Sequence, residues 1–214
     1  MTQATQTQAG LSPHWPESLS EILQIFGPLN DKEFRTLTNL ILLGSGLVNN
    51  SFNFPNTVYQ KINQELRGKS IHYNLKLNKW VTNDNEYSEL ESSQKRNEIL
   101  VNWKGSTFGK GQEILYILVD NRCLSDLIIK KTTKHFIKIG KTSQKLQYRI
   151  KDLNTGNPYG ARPIITFKLD NAFMLERRLQ NDLNKFNVKS NYANNKEWFY
   201  VESEALIASI EKNL

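Results

Sequence analysis

The stretch Ile114-Leu115-Tyr116-Ile117-Leu118-Val119, with His135-Phe136-Ile137-Lys138-Ile139-Gly140 after it, decides the fold of this chain. The first run is short, apolar, and built of β-branched and aromatic residues, which suit a packed strand. The second reads as its neighbour. Working outward, Thr142 or Ser143 caps a helix whose apolar face is Leu146, Ile150 and Leu153. Asn154-Thr155-Gly156-Asn157-Pro158 ends that helix with turn chemistry. Residues 162–169 form a strand carrying Ile164, Ile165 and Phe167. Asn171 then caps a helix with Ala172, Leu175, Leu179, Leu183 and Phe186 in register. A short strand at 198–201 and a helix bearing Leu206, Ile207 and Ile210 close the chain. The predicted class is α+β, with a small three-stranded, mostly antiparallel sheet flanked by helices over residues 113–214.

Upstream the period is helical. Leu19, Ile22, Leu23 and Phe26 share one face, and Gly27-Pro28 stops the helix. Asn30 with Glu33 three residues later is a capping-box pattern ahead of Phe34, Leu37, Leu40 and Ile41. A third helix spans 56–66, with Val58, Ile62 and Leu66 on one face. Ile71, Tyr73, Leu75 and Leu77 then alternate with polar residues, predicting a half-buried strand. Residues 82–98 are polar and read as a loop followed by a helix. These features divide the chain into a disordered tail at 1–14, a mainly helical N-terminal domain at 15–104, a glycine-rich linker at 105–112 and the α+β domain at 113–214.

Composition bounds the function. No apolar run approaches the roughly 20 residues of a membrane helix, and residues 1–10 lack the basic and apolar segments of a signal peptide. The single cysteine, Cys123, excludes an internal disulfide, so a cytoplasmic location is expected. The net charge of +7 is uneven: residues 113–214 hold 17 Lys+Arg against 11 Asp+Glu, and residues 1–112 hold 11 against 10. A basic second half suits a polyphosphate surface. Nothing resembles a zinc-site spacing, a Walker loop or a Ser–His–Asp set.

An ordered set of short motifs lies on these elements: Leu115-Tyr116-Ile117 on the first strand, Lys138-Ile139-Gly140 on the second, Arg149 in the next helix, Glu176 on the long helix, and Glu197-Trp198-Phe199 at the close. The set resembles the GIY-YIG nuclease superfamily over about residues 113–201, and within it the phage-type branch whose second signature reads Lys-Ile-Gly. The resemblance implies a DNA endonuclease dependent on Mg2+ or Mn2+, of restriction, phage-defence or mobile-element type. It implies Tyr116 as the base or its aid, Arg149 as a phosphate ligand and Glu176 as the metal ligand. Lysine in place of the usual tyrosine makes Lys138 a phosphate contact first and a base second. Lys141, Lys145, Asn157 and Arg162 are candidate DNA contacts. Leu153 and Gln180 depart from the family pattern where other members carry proton-transfer groups. The alternative is therefore a DNA-binding module that does not cut, and a third reading is an interaction protein on the same scaffold. DNA is the expected partner and no membrane is; a homodimer would serve double-strand cutting, since each strand needs its own attack.

Overall fold

The computed structural model describes residues 18–45, 54–83, 89–188 and 196–214; the predicted tail at 1–14 lies outside them. Three helices come first: α1 (Leu19–Phe26), α2 (Asp31–Ser45) and α3 (Phe54–Arg67). The capping box is realised in both directions. Asn30 N–H donates to Glu33 at 3.0 Å, and Glu33 N–H donates to the Asn30 side chain at 2.9 Å, so two otherwise orphaned donors at the start of α2 are satisfied.

The strand expected from Ile71 onward ends at Asn74. A tight hairpin joins β1 (Ile71–Asn74) to β2 (Lys79–Thr82). The Asn74 side chain accepts from Lys76 N–H at 3.0 Å and Leu77 N–H at 3.1 Å, and Asn78 adopts a left-handed conformation with φ 52. These are turn features, and they leave Leu75 86% and Leu77 56% exposed. Leu29, between α1 and α2, adds an isolated antiparallel bridge to Trp80. The helix α4 (Glu89–Val101) follows.

The second half holds a five-stranded mixed sheet rather than the predicted three strands. Its members are β3 (Ser106–Gly109), β4 (Glu113–Asp120), β5 (Lys134–Thr142), β6 (Ala161–Leu169) and β7 (Trp198–Glu202), in the spatial order β3-β6-β4-β5-β7. β3 runs parallel to β6, and the other pairings are antiparallel. β3 occupies the stretch read as a glycine-rich linker. Its glycines serve close backbone approach: a Cβ on Gly111 would lie 2.0–2.4 Å from the Leu169 backbone. The remaining helices are α5 (Asn121–Lys130), α6 (Leu146–Asn154), α7 (Ala172–Asp182) and α8 (Ser203–Asn213). α5, which lies between the two signature strands, starts at the Asp120 cap, whose side chain accepts from Arg122 N–H at 2.9 Å.

The sheet is covered on both faces. α6 packs Leu146, Ile150 and Leu153 against Tyr116, Leu118 and Ala161. The other face joins one continuous core that includes Leu115, Ile117, Ile137, Ile139 and Phe199 with residues of α1, α2, α5, α7 and α8. The helical first half therefore packs into the same core as the sheet. The C-terminus of α2 is tied to the β3 edge: Gly44 carbonyl accepts from Lys104 N–H at 3.1 Å and Gly105 N–H at 2.9 Å. Ser106 Oγ donates to Leu43 carbonyl at 2.6 Å, and Trp103, whose indole N–H reaches Pro163 carbonyl at 3.2 Å, fills the space a Cβ on Gly44 would need.

Among the described residues, several buried polar side chains lack a hydrogen-bond partner, and His135 is the titratable one whose whole ring is buried. His135 is 1% exposed and neither ring nitrogen is hydrogen-bonded. Burial pushes its pKa from 6.5 down to about 4, so the ring is neutral at physiological pH. Between pH 6.5 and about 4 the unfolded chain binds this proton and the folded chain does not. Stability is therefore expected to fall as pH drops through that window, by on the order of 3 kcal/mol from this residue. Chemical denaturation from pH 7 to pH 4 checks this, and His135→Phe should flatten the profile.

Candidate functional site

β7 is shorter than β5, and the site lies where their pairing stops. Among the described residues the ladder runs from Lys134↔Glu202 to Lys138↔Trp198, and Ile139 N–H donates to the Glu197 carbonyl at 2.9 Å at its end. Beyond it the outer edge of β5 is met by side chains from α7. Gln180 donates to Ile139 carbonyl at 3.4 Å, and Glu176 lies close to the Lys141 backbone.

Across the sheet, Tyr116 of β4 stands opposite Gly140 of β5. The contact is close enough to forbid a side chain, because a Cβ on Gly140 would lie 2.5 Å from Tyr116 Oη and 2.7 Å from Cζ. Gly140 thus serves chiefly to seat the ring. Tyr116 is 1% exposed, and its hydroxyl accepts from Arg149 Nε at 3.3 Å. Arg149 projects from α6, the helix covering this face. Lys138 lies two residues from Gly140 on the same side of β5, 6% exposed. It is ion-paired with Glu197, with its ammonium 5.5 Å from the centre of the Trp198 ring.

The charges are mutually coupled. Burial raises the Glu176 carboxyl above its ordinary value, the Glu197 charge raises it further, and Lys141 and Lys138 pull the other way. Burial also raises the Tyr116 hydroxyl, against the hydrogen bond and charge of Arg149; Glu197 and Glu176 add to the rise. The hydrogen bond that Arg149 donates to Tyr116, with the nearby Glu197 charge, holds Arg149 firmly charged. Tyr116, Lys138, Arg149 and Glu176 are therefore brought into one electrostatic neighbourhood. Glu197 joins them, although the sequence alone assigned it no role beyond its place in the motif order. Its signal was its position, immediately before a strand that pairs with a buried lysine.

The proposed DNA contacts divide. Lys141 lies beside Glu176, its ammonium 5.8 Å from the centre of the Phe173 ring. Lys145 is exposed and occupies the N-cap of α6. The helix begins there rather than at Thr142 or Ser143, because β5 runs on to Thr142. Asn157 is committed to its turn, accepting from Tyr159 N–H at 3.1 Å. Arg162 is not in the site. It pairs with Val119, on the opposite face of the sheet from Tyr116, and donates to Leu100 carbonyl and, at 3.4 Å, to Val101 carbonyl at the end of α4.

Carboxylate oxygens are hard donors that suit Mg2+ or Mn2+. Among the described residues no group of three or more His, Cys, Asp or Glu could hold a metal. Glu176 and Glu197 instead form a two-carboxylate set whose mutual repulsion a cation would relieve.

Residues 114–213 match the T5orf172 domain. This finding corrects the GIY-YIG resemblance: the match is to a different family, and no GIY-YIG model matches. The departures at Lys138, Leu153 and Gln180 lie among the motifs that suggested it. T5orf172 is a phage-associated, nuclease-like or DNA-binding domain family. The matched segment covers β4 through α8 and every residue of the site. No curated protein and no solved structure gives a significant match. No helix among the described residues is long and apolar enough to cross a membrane.

Two outcomes test this geometry. Gly140→Ala should cost about 1–3 kcal/mol by overpacking against Tyr116, read as a lower thermal midpoint. Glu176→Gln should be neutral or stabilising at pH 7 without metal. The raised carboxyl favours the folded state below its unfolded value of 4.5 and loses that advantage as pH rises through the folded value. Thermal melts at pH 4 and pH 7 should show the variant's advantage only at the higher pH.

Proposed function

We propose that the T5orf172-like domain binds DNA and hydrolyses its phosphodiester bonds with the help of a divalent cation. The observation that supports this is the convergence of two cations, a phenol and two carboxylates at the open end of the β5–β7 ladder. Phosphate oxygens seek Arg149, which stays charged and whose Nε is already fixed on Tyr116. Lys138 adds a second positive charge held in place by Glu197.

Tyr116 is a poor general base, since burial favours its neutral form. With Oη accepting from Arg149, its own O–H proton is free to hold an attacking water or a phosphate oxygen. Glu176, with Glu197 beside it, would hold the cation. Such an ion lowers the pKa of a bound water and stabilises charge on the phosphate. The chain's own residues bind and orient the scissile group and balance its charge.

A DNA-binding domain without cleavage is the second reading. It is favoured by one feature, the ion pair that already engages Glu197 with Lys138.

Supercoiled-plasmid cleavage with Mg2+ or Mn2+, and with chelator, tests the proposal. Wild type should cut only with metal. Arg149→Ala and Glu176→Ala should each lose about a hundredfold or more in rate, the scale for removing one preorganised charge-stabilising group. Cleavage in chelator, or a Glu176→Ala variant that cuts like wild type, would overturn it. Salt-sensitive DNA binding with no cutting would establish the second reading.

A further inference from the structure

The N-terminal region carries a second charged surface away from the site. Its order is α1, a one-residue bridge at Leu29, α2, α3, then the β1–β2 hairpin, with the bridge pairing onto β2 at Trp80. That is the connectivity of a winged helix, in which the third helix and the hairpin are free to engage a duplex. Here both are free. Gln60, Asn63, Gln64 and Arg67 are exposed, and they fall at i, i+3, i+4 and i+7, so they form one face of α3.

The opposite side of α3 is anchored. Ile62 packs on the core, and the two Glu65 carboxylate oxygens accept from Leu19 N–H at 2.7 Å and Ser20 N–H at 2.9 Å. Glu65 thereby caps α1 and fixes which way α3 is turned.

The charge is one-sided. From residue 66 to residue 82 the chain holds Arg67, Lys69, Lys76 and Lys79 and no aspartate or glutamate. All four are exposed, and among the described residues none is ion-paired. The hairpin tip presents Leu75-Lys76-Leu77, a cation between two exposed aliphatic side chains. A lysine flanked by apolar residues suits a DNA groove, where the cation meets phosphates and the aliphatic groups lie against base edges. A helix of 14 residues, about 21 Å long, whose exposed face carries Gln60, Asn63 and Gln64 suits the major groove, since Asn and Gln read base edges there.

We infer that α3 and the β1–β2 hairpin form a second DNA-binding surface. It takes double-stranded DNA, with Gln60, Asn63 and Gln64 facing base edges and Arg67, Lys69, Lys76 and Lys79 facing phosphates. The inference rests on the reading that this chain acts on DNA, and it assigns target selection to the N-terminal region.

The test uses the full chain in a Glu176→Gln background, so that binding is read without cutting. Fluorescence anisotropy on a duplex of about 30 base pairs, titrated from about 50 to 200 mM salt, compares this protein with one also carrying Arg67→Ala, Lys69→Ala and Lys76→Ala. The triple change should weaken binding about tenfold or more and reduce the log–log salt slope by about 2–3, near one unit per lost phosphate contact. Asn63→Ala with Gln64→Ala should leave that slope unchanged and alter the sequences selected from a randomised duplex pool. Unchanged affinity and slope in the triple variant, with a wild-type thermal midpoint, would overturn the inference. Because the assay reads binding alone, loss of affinity in the triple variant supports it even where no plasmid is cut. Conversely, metal-dependent cutting by a chain whose triple variant binds normally upholds the nuclease reading and removes this one.

Discussion

Six consecutive residues of β4, from Leu115 to Asp120, are buried, and this constraint organises the molecule. A strand with no solvent face needs cover on both sides and a partner along each edge. β5 and β6 supply the edges; α6 supplies one cover, and the helices of the main core supply the other. The site follows from the same constraint. Tyr116 is placed under α6 by the alternation of β4, Arg149 descends from α6 to meet its hydroxyl, and Gly140 leaves room for the ring. The charged groups gather where, among the described residues, the β5–β7 ladder ends.

Much of this was legible where local chemistry and tertiary need agree. The capping box at Asn30 and Glu33, the apolar stripes of α1, α2, α6 and α7, and the strands holding Tyr116 and Lys138 follow from period and cap alone. Failures came where a local pattern had no cover to enforce it. Leu75 and Leu77 alternate correctly for a strand, yet alternation specifies a strand only when one face is buried. Asn74 and Asn78, the turn formers on either side, decided the outcome. β3 was hidden because Ser106-Thr107-Phe108-Gly109 is short and flanked by glycine, and its strand character comes from pairing with β6, more than fifty residues later. α5 was passed over although Leu124, Leu127 and Ile128 stand at helical spacing behind the Asp120 cap.

The site divides along similar lines. Tyr116, Lys138, Arg149 and Glu176 could be nominated from motif order, and the fold brings them together. Glu197 could not be weighed without the register of β7 against β5, because its meaning lies in the partner it meets. Arg162 was nominated for its charge but works as a fastener, holding the last carbonyls of α4 from the far face of the sheet. The family attribution shows the limit of short motifs. Lys-Ile-Gly, a helix arginine and a helix glutamate are each compatible with several lineages, and the match over the whole segment 114–213 points to a different family from the one those fragments suggested.

The stitch at the end of α2 bears on how the chain acquires its structure during synthesis. Leu43 and Gly44 present their carbonyls to residues 104–106, and Trp103 seats on Gly44 while reaching across to Pro163. A nascent chain released only as far as α3 would have an unfinished helix end and an uncovered apolar stripe. Its completion waits for a strand, β6, that emerges more than a hundred residues after α2. Contacts of such long sequence separation slow folding, because loop closure precedes any reward. The two halves are thus expected to mature as one cooperative unit, late and together, rather than as beads formed in turn.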